Sequence, residues 1–302
     1  MTPTVSVVLL SGGEPSSLER QLPLVQSELL SVGGGACLVV DPTQGELEAW
    51  LAEHWPEVTL IRSGGAAGDP AAVLLEAAGR LTCDLILVLG EGVQPRPGFL
   101  AALLHALEDR AVGLVGARVD GRPARALVLE DGRLHSLDRE PRTPGRRPYP
   151  APFPAEEAYL VRRSLLLERG GFDPLIGPGP PSQLDLGLRV WRGGGTVLEV
   201  PEAVVERVKP SLEPPEHLSR AAEEKNRLLL HWKYLDTSRD AHHHLATLWR
   251  DALEAAISGQ REELVWLALA LQELAAVGRS RQALPEPRRA LEQVLLMSDP
   301  RS

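Results

Sequence analysis

Residues 85–93 read Leu-Ile-Leu-Val-Leu-Gly-Glu-Gly-Val, an apolar run that ends in one carboxylate, Glu91, between Gly90 and Gly92. A carboxylate at a strand end is a natural ligand for a hard divalent cation. Magnesium or manganese wants several oxygen ligands, however, so Glu91 alone reads as a solvated loop residue and no metal site is expected. A second apolar run, Ala36 to Val40, ends in Asp41, which either contacts a base edge or caps the turn before Pro42. Gly64, Gly65 and Gly68 form a loop whose backbone amides could approach a phosphate. Arg142, Arg146, Arg147, Arg162 and Arg163 could clamp a diphosphate in place of a metal, the first three reading rather as a solvated basic loop. Asp185 is the one candidate for a general base, with a helix cap as its plainer role. The run His242-His243-His244 reads as an exposed polar face, because neighbours on a helix point about 100° apart and do not converge on a metal.

These residues need a scaffold. Val5 to Leu10, Ala36 to Asp41, Val58 to Ile61 and Asp84 to Leu89 are short, β-branched apolar runs. Helical patterns at 18–30, 44–54, 71–80 and 98–109 alternate with them. Strands and helices alternating through short connections predict βαβ units and a mainly parallel sheet. Ligands of such sheets bind outside the carboxyl ends of the strands, where Asp41, the glycine loop and Glu91 all fall. Farther on, 112–119 and 124–129 read as antiparallel strands around Asp120-Gly121, and 141–154 as an extended loop rich in proline and arginine. Beyond Pro215 the chain reads as helices at about 216–235, 239–258, 261–277 and 286–297, which places a domain at 1–215 and a helical extension at 216–302.

Bulk properties narrow the function. The 302 residues carry 32 Lys and Arg against 41 Asp and Glu, a net charge of −9 that argues against sequence-independent nucleic-acid binding. Two cysteines, Cys37 and Cys83, make neither a disulfide framework nor a zinc site and read as buried thiols. The first ten residues lack the basic start and cleavage site of a signal peptide, and 264–277, the longest apolar run, is shorter than the ~20 residues a spanning helix needs. A soluble cytoplasmic protein is expected, with 264–277 buried in a helical bundle or a dimer interface.

Four segments in order carry a resemblance: the opening VSVVLL strand, LVVDPTQGE at 38–46, the stretch from Gly64 to Leu100, and Ala158 to Val205. The last contains Arg-Arg, Gly-Gly-Phe-Asp, Asp-Leu-x-x-Arg and Val-Pro-Glu-Ala in sequence. Over residues 4–235 the chain resembles the family 2 glycosyltransferases, inverting nucleotide-sugar enzymes of the GT-A fold. The resemblance implies an α/β architecture with a mainly parallel sheet flanked by helices, and a nucleotide sugar as partner. It also implies nucleotide contacts at Asp41, Gly64, Gly65 and Glu91, with Arg162 and Arg163 near the diphosphate.

The departures lie where the chemistry belongs. The family's metal-binding DxD carboxylates match Gly90 and Gly92, and its Glu-Asp pair around the base matches Ser182-Gln183. A histidine expected after Val-Pro-Glu-Ala is replaced near Arg207, and an asparagine is missing around Asp69-Pro70. Three readings follow. The first is a pseudoenzyme that has lost metal-dependent transfer and binds a nucleotide, a sugar or a partner. The second is an atypical metal-independent transferase using Asp185 or Glu91. The third is a non-catalytic assembly module whose helical tail binds itself or another protein.

Overall fold

The computed structural model describes residues 3–11, 13–41, 47–62, 70–119, 122, 124–130, 132–142, 145–153, 158–168, 171–177, 180–208 and 216–302. The first half alternates as expected: β1 (Val5–Leu10), α1 (Pro15–Ser31), β2 (Gly35–Asp41), α2 (Leu47–His54), β3 (Thr59–Arg62), α3 (Pro70–Arg80), β4 (Leu85–Leu89), β5 (Val93–Pro95) and α4 (Phe99–Ala106). There follow β6 (Val112–Val119), β7 (Arg125–Glu130), β8 (Arg133–Asp138), β9 (Tyr149–Pro150), β10 (Ala158–Arg162), α5 (Arg163–Glu168), α6 (Pro180–Arg192) and β11 (Thr196–Arg207). The chain ends in α7 (Glu216–Tyr234), α8 (Ser238–Ser258), α9 (Arg261–Gln272), α10 (Leu274–Ala283) and α11 (Leu291–Met297).

The main sheet runs β3-β2-β1-β4-β10-β6-β11-β5, with β9 beside β11. β3, β2, β1 and β4 are mutually parallel, while β10 runs antiparallel to both β4 and β6. Because successive strand residues point to opposite faces, each strand feeds two cores. Val5, Val7 and Leu9 of β1 and Leu85, Leu87 and Leu89 of β4 pack with Leu18, Leu22, Val25 and Leu29 of α1 and with Phe99, Leu100 and Leu103 of α4. Val8, Ile86 and Val88 face the other way, toward Leu74, Ala77 and Ala78 of α3, Leu188 and Trp191 of α6, and Leu230 and Tyr234 of α7. Each such Leu or Val contributes about 1.5–3 kcal/mol when fully buried, so the central strands hold the site edge rigidly. The core across α1 and α4 is closed by Glu28, whose carboxylate accepts from Gly98 N (2.9 Å) and Leu100 N (2.8 Å) and so caps α4.

Two expectations are corrected. The strand at 124–129 does not pair with 112–119. β6 instead joins the main sheet, and β7 pairs with β8 in a separate antiparallel ribbon turning at Gly132, whose φ of 72° suits glycine. Apolar alternation is the same for either partner, and the β8 partner went unread. The helix read over 261–277 is two, α9 and α10, divided at Glu273, and its apolar residues split: Ala270 and Val277 are buried, whereas Val265, Leu269, Leu271 and Leu274 are exposed. In β11 the register against β6 slips between Val200 and Val204, so Pro201 sits in a bulge and withholds no ladder hydrogen bond. Cys83 is buried as expected, Cys37 only half-buried, and both are free thiols. Among the described residues no helix is long and apolar enough to cross a membrane.

Candidate functional site

The registers Leu9↔Leu89 and Leu10↔Val40 bring the carboxyl ends of β1, β2 and β4 to one edge. Ser11, just past β1, is buried; its N–H donates to Val40 O (2.9 Å), and its Oγ accepts from Gly13 N (3.0 Å). Asp41 is the last residue of β2, in register with Arg62 of β3. Gly64 and Gly65, like Asp69, fall outside the described residues.

The strand end at Gly90–Gly92 is tied to α1. Ser17 Oγ donates to Glu91 Oε1 (3.0 Å). Gln21 Nε2 donates to Gly90 O (2.9 Å) and Val93 O (2.8 Å). From the other side Val208 N donates to Gly92 O (2.9 Å). Gly92 has φ 68°, a conformation that an L-residue adopts only with strain. Reading the sequence alone missed Ser17 and Gln21. The available signal was polarity out of place: both are buried on the α1 face that carries Leu18, Leu22 and Val25.

The geometry also tests the metal that the resemblance implies. Gly90 and Gly92 bring no side-chain oxygen, and Glu91 already accepts a hydroxyl proton from α1. The donor set does not fit a hard cation, which needs several oxygens converging at one point.

The second concentration of charge lies between α6 and α7. Asp185 is fully buried. Its Oδ1 accepts from Lys233 Nζ (2.6 Å) and Tyr234 OH (2.8 Å), and its Oδ2 lies 2.8 Å from Arg189 Nε. Lys233 also reaches Asp173 Oδ2 (2.8 Å), which Ser280 of α10 contacts as well. Burial pushes the Asp173 carboxyl up, but the Lys233 ammonium and the Ser280 hydroxyl outweigh it, and the net direction is down. Burial and the Asp185 charge hold the Tyr234 phenol well above its ordinary value. Two carboxylates and two cations thus neutralise one another out of water, and every Asp185 oxygen faces a cation or a phenol. Ser182 and Gln183 stand one turn earlier on α6, Ser182 buried, with its Oγ 3.3 Å from Gln183 Oε1.

The arginines divide. Arg162 donates to the carbonyls of Val112 (3.0 Å), Leu107 (2.8 Å) and Asp109 (3.2 Å), and Arg163 to Ala78 O (2.8 Å). Both guanidinia are used to join strands to helix ends. Arg142, Arg146 and Arg147 are exposed.

The histidine run also splits. His242 and His243 are exposed, but His244 is buried and stacks on His231 with ring centroids 5.5 Å apart. Trp232 Nε1 donates to His244 Nε2 (2.9 Å), while His244 Nδ1 lies 2.9 Å from Gly132 O. The backbone N–H of Leu134 donates to His231 Nε2, and His231 Nδ1 lies 2.7 Å from Arg227 O. Each ring must therefore be neutral with its proton on Nδ1, since one nitrogen accepts and the other faces a carbonyl. Burial, followed by the His244 ring, lowers His231 from near 6.5 to about 3, and burial lowers His244. The pair fastens the β7–β8 ribbon to α7 and α8.

No family model matches the chain. It is 24% identical over 260 residues to polypeptide N-acetylgalactosaminyltransferase 15 of Mus musculus, a match that takes in 79% of this chain but only 41% of that protein. It superposes on the crystal structure of GalNAc-T7 with UDP, GalNAc and Mn2+ with a TM-score of 0.61 and 16% identity, covering 76% of this chain and 48% of that one. It also superposes on the mannosyltransferase PcManGT of Pyrobaculum calidifontis in complex with GDP-Man and Mn2+, with a TM-score of 0.55 and 16% identity over 93% of this chain and 86% of that one. The chain spans less than half the length of the curated relative. The fold is that of the GT-A glycosyltransferases.

Proposed function

We propose that this protein is a glycosyltransferase-like pseudoenzyme that binds a nucleotide or nucleotide sugar at the carboxyl edge of β1, β2 and β4 without metal-dependent sugar transfer. The observation that carries the reading is the strand end at Gly90–Glu91–Gly92, where the one carboxylate is bonded to Ser17 and its neighbours are glycines. Neutralising a departing diphosphate needs cationic charge held at the phosphates, and among the described residues no group of side chains is set to hold a metal at this edge. The two solved neighbours hold UDP and GDP-Man respectively, each with Mn2+, which supports a nucleotide as ligand.

In this reading Asp41 and the glycines at 64 and 65 meet the nucleotide. Arg162 and Arg163 serve the frame rather than the diphosphate, and Asp185 is a positioning residue that locks α6 to α7. We read 1–215 as the GT-A unit and 216–302 as a helical addition whose first helix, through Leu230 and Tyr234, completes the core of that unit. The free thiols Cys37 and Cys83 fit a reducing compartment and hence a cytoplasmic protein.

The test is thermal-shift and calorimetric titration with UDP, GDP and their sugar conjugates, with and without manganese. A ligand at about a hundred times its Kd stabilises the folded state by about 2.7 kcal/mol. Stabilisation by a nucleotide, equal in the presence and absence of manganese, is expected. Manganese-dependent turnover of any nucleotide sugar by the purified chain overturns the proposal.

A further inference from the structure

We infer that α8 forms a symmetric contact with α8 of a second copy of this chain, in which Leu245, Trp249, Leu253 and Ile257 interdigitate antiparallel and Arg250 meets Glu254 of the partner subunit. The inference stands on the helical tail and is independent of the nucleotide reading.

α8 is apolar on both sides. Its inner face, with His244, Leu248 and Ala255, is buried against α7 and α9 and the β7–β8 turn. Leu245, Trp249, Leu253 and Ile257 recur every four residues, and at about 100° per residue they lie on the side turned away from that inner face. They are 51%, 76%, 62% and 79% exposed. Single exposed leucines are ordinary, but four large side chains in one row that includes a tryptophan are not. At the amino end of the row, a cavity of about 450 Å³ lined by Leu245, Leu248, Leu271 and Leu274 prolongs the apolar surface.

The area suffices for a dimer. From ordinary side-chain areas, the four exposed residues offer on the order of 500 Å², so a symmetric pair buries about 1,000 Å², the lower bound for a specific interface. The row is also complementary to itself. About a two-fold axis near Ala252, Trp249 falls between the partner's Leu253 and the partner's Ile257. Arg250 and Glu254, on one flank of the row, then each lie opposite the other's counterpart. That flank sorts antiparallel from parallel pairing, which would set Arg250 and Glu254 against the opposite, apolar flank of the partner and leave them without a counter-charge there. A membrane surface is the poorer occupant: α8 carries Arg239 and Arg250 against Asp240, Asp251 and Glu254, and the chain has a net charge of −9.

The experiment is light scattering and sedimentation of the full chain at tens of micromolar. Wild type is expected at twice the chain mass of 32.7 kDa. Trp249→Glu and Leu253→Glu should each weaken the dimer at least ~30-fold, as loss of a hot-spot residue does, with an unchanged circular dichroism spectrum because both side chains are exposed. Ile257→Ser near the helix end provides a third position should either of those perturb α8. Arg250→Glu or Glu254→Arg alone should weaken the dimer, and the two together should restore it. A monomeric wild type overturns the inference, whether or not it binds phosphatidylserine vesicles. So does a dimer that survives all three apolar substitutions, or a double charge swap that restores nothing.

Discussion

Two regions of this molecule share a chemical vocabulary and use it in opposite ways. At the carboxyl end of β4, where a GT-A transferase would be expected to hold its donor, the chain offers glycine, one carboxylate and glycine. Between α6 and α7, Asp173, Asp185, Arg189, Lys233 and Tyr234 crowd together out of water. The described strand end at Gly90–Gly92 carries a single charge; the α6–α7 contact is sealed and rich in charge. Titratable groups crowd where they hold helices together and are thin at the described end of β4. A perturbed group in a cleft suggests catalysis, but the same group inside a neutralised, closed network holds structure.

The largest expected effect tests the sealed region. Asp185→Ala leaves Lys233 and Arg189 buried with half their counter-charge gone, and breaking a buried pair in this way costs about 3–5 kcal/mol. Urea denaturation should show that loss. Lys233→Met together with Asp185→Leu should recover part of it, because removing both partners is far cheaper than removing one. A variant Asp185→Ala as stable as wild type but unable to bind nucleotide would erase the contrast and return Asp185 to the ligand site.

Acid provides the next effect. His231 is lowered to about 3 and His244 is lowered, so the unfolded chain binds protons more readily than the folded one below about pH 6.5. Stability should therefore be full above about 6.5 and decline as pH falls toward about 3, with the ribbon leaving α7 and α8. Asp84, held down by hydrogen bonds from Thr4, and Asp173 lose their contributions only near and below the ordinary carboxylate value of 3.8. Between pH 6.5 and 5 the histidines are opposed, among the described residues, only by Glu199, whose carboxyl burial holds above its ordinary 4.5 and which therefore favours the folded chain as pH falls. A net loss of stability there is thus the histidines', and His231→Gln should flatten that slope. An unchanged slope would place the acid response elsewhere.

Much of this was legible in the chain, and the rest failed for identifiable reasons. Strands buried on both faces advertise themselves as continuous apolar runs, so β1, β2 and β4 and their edge were readable, as was the ordered set of motifs from Ala158 to Val205. Pairing was less readable, because β7 alternates in the same way whether it meets β6 or β8. Asp185 looked like a base or a cap because Lys233 and Tyr234 lie 48 and 49 residues away, and nothing local marks such a contact. His244 looked like the exposed run beside it because its acceptor, Gly132 O, lies 112 residues earlier. Glycine at 90 and 92 was plain to read, but the use of Glu91 was not, since it depends on how α1 crosses the strand end.

The smallest effect is expected at Glu91, and it bears most directly on the strand end. The carboxylate is partly exposed and accepts from Ser17 Oγ at 3.0 Å, a contact worth about 1 kcal/mol or less. Glu91→Gln keeps an acceptor for that hydroxyl and removes the charge, so stability should be nearly unchanged. If Glu91 serves only to pin α1 to the strand end, nucleotide affinity and its indifference to manganese should be unchanged too. If Glu91 is the remnant of a metal site, wild type should bind nucleotide more tightly with manganese and the Gln variant should lose that increment. Ser17→Ala separates the two further: freeing the carboxylate from its hydroxyl should leave a pinning residue without its partner, and would raise the manganese response only of a working ligand.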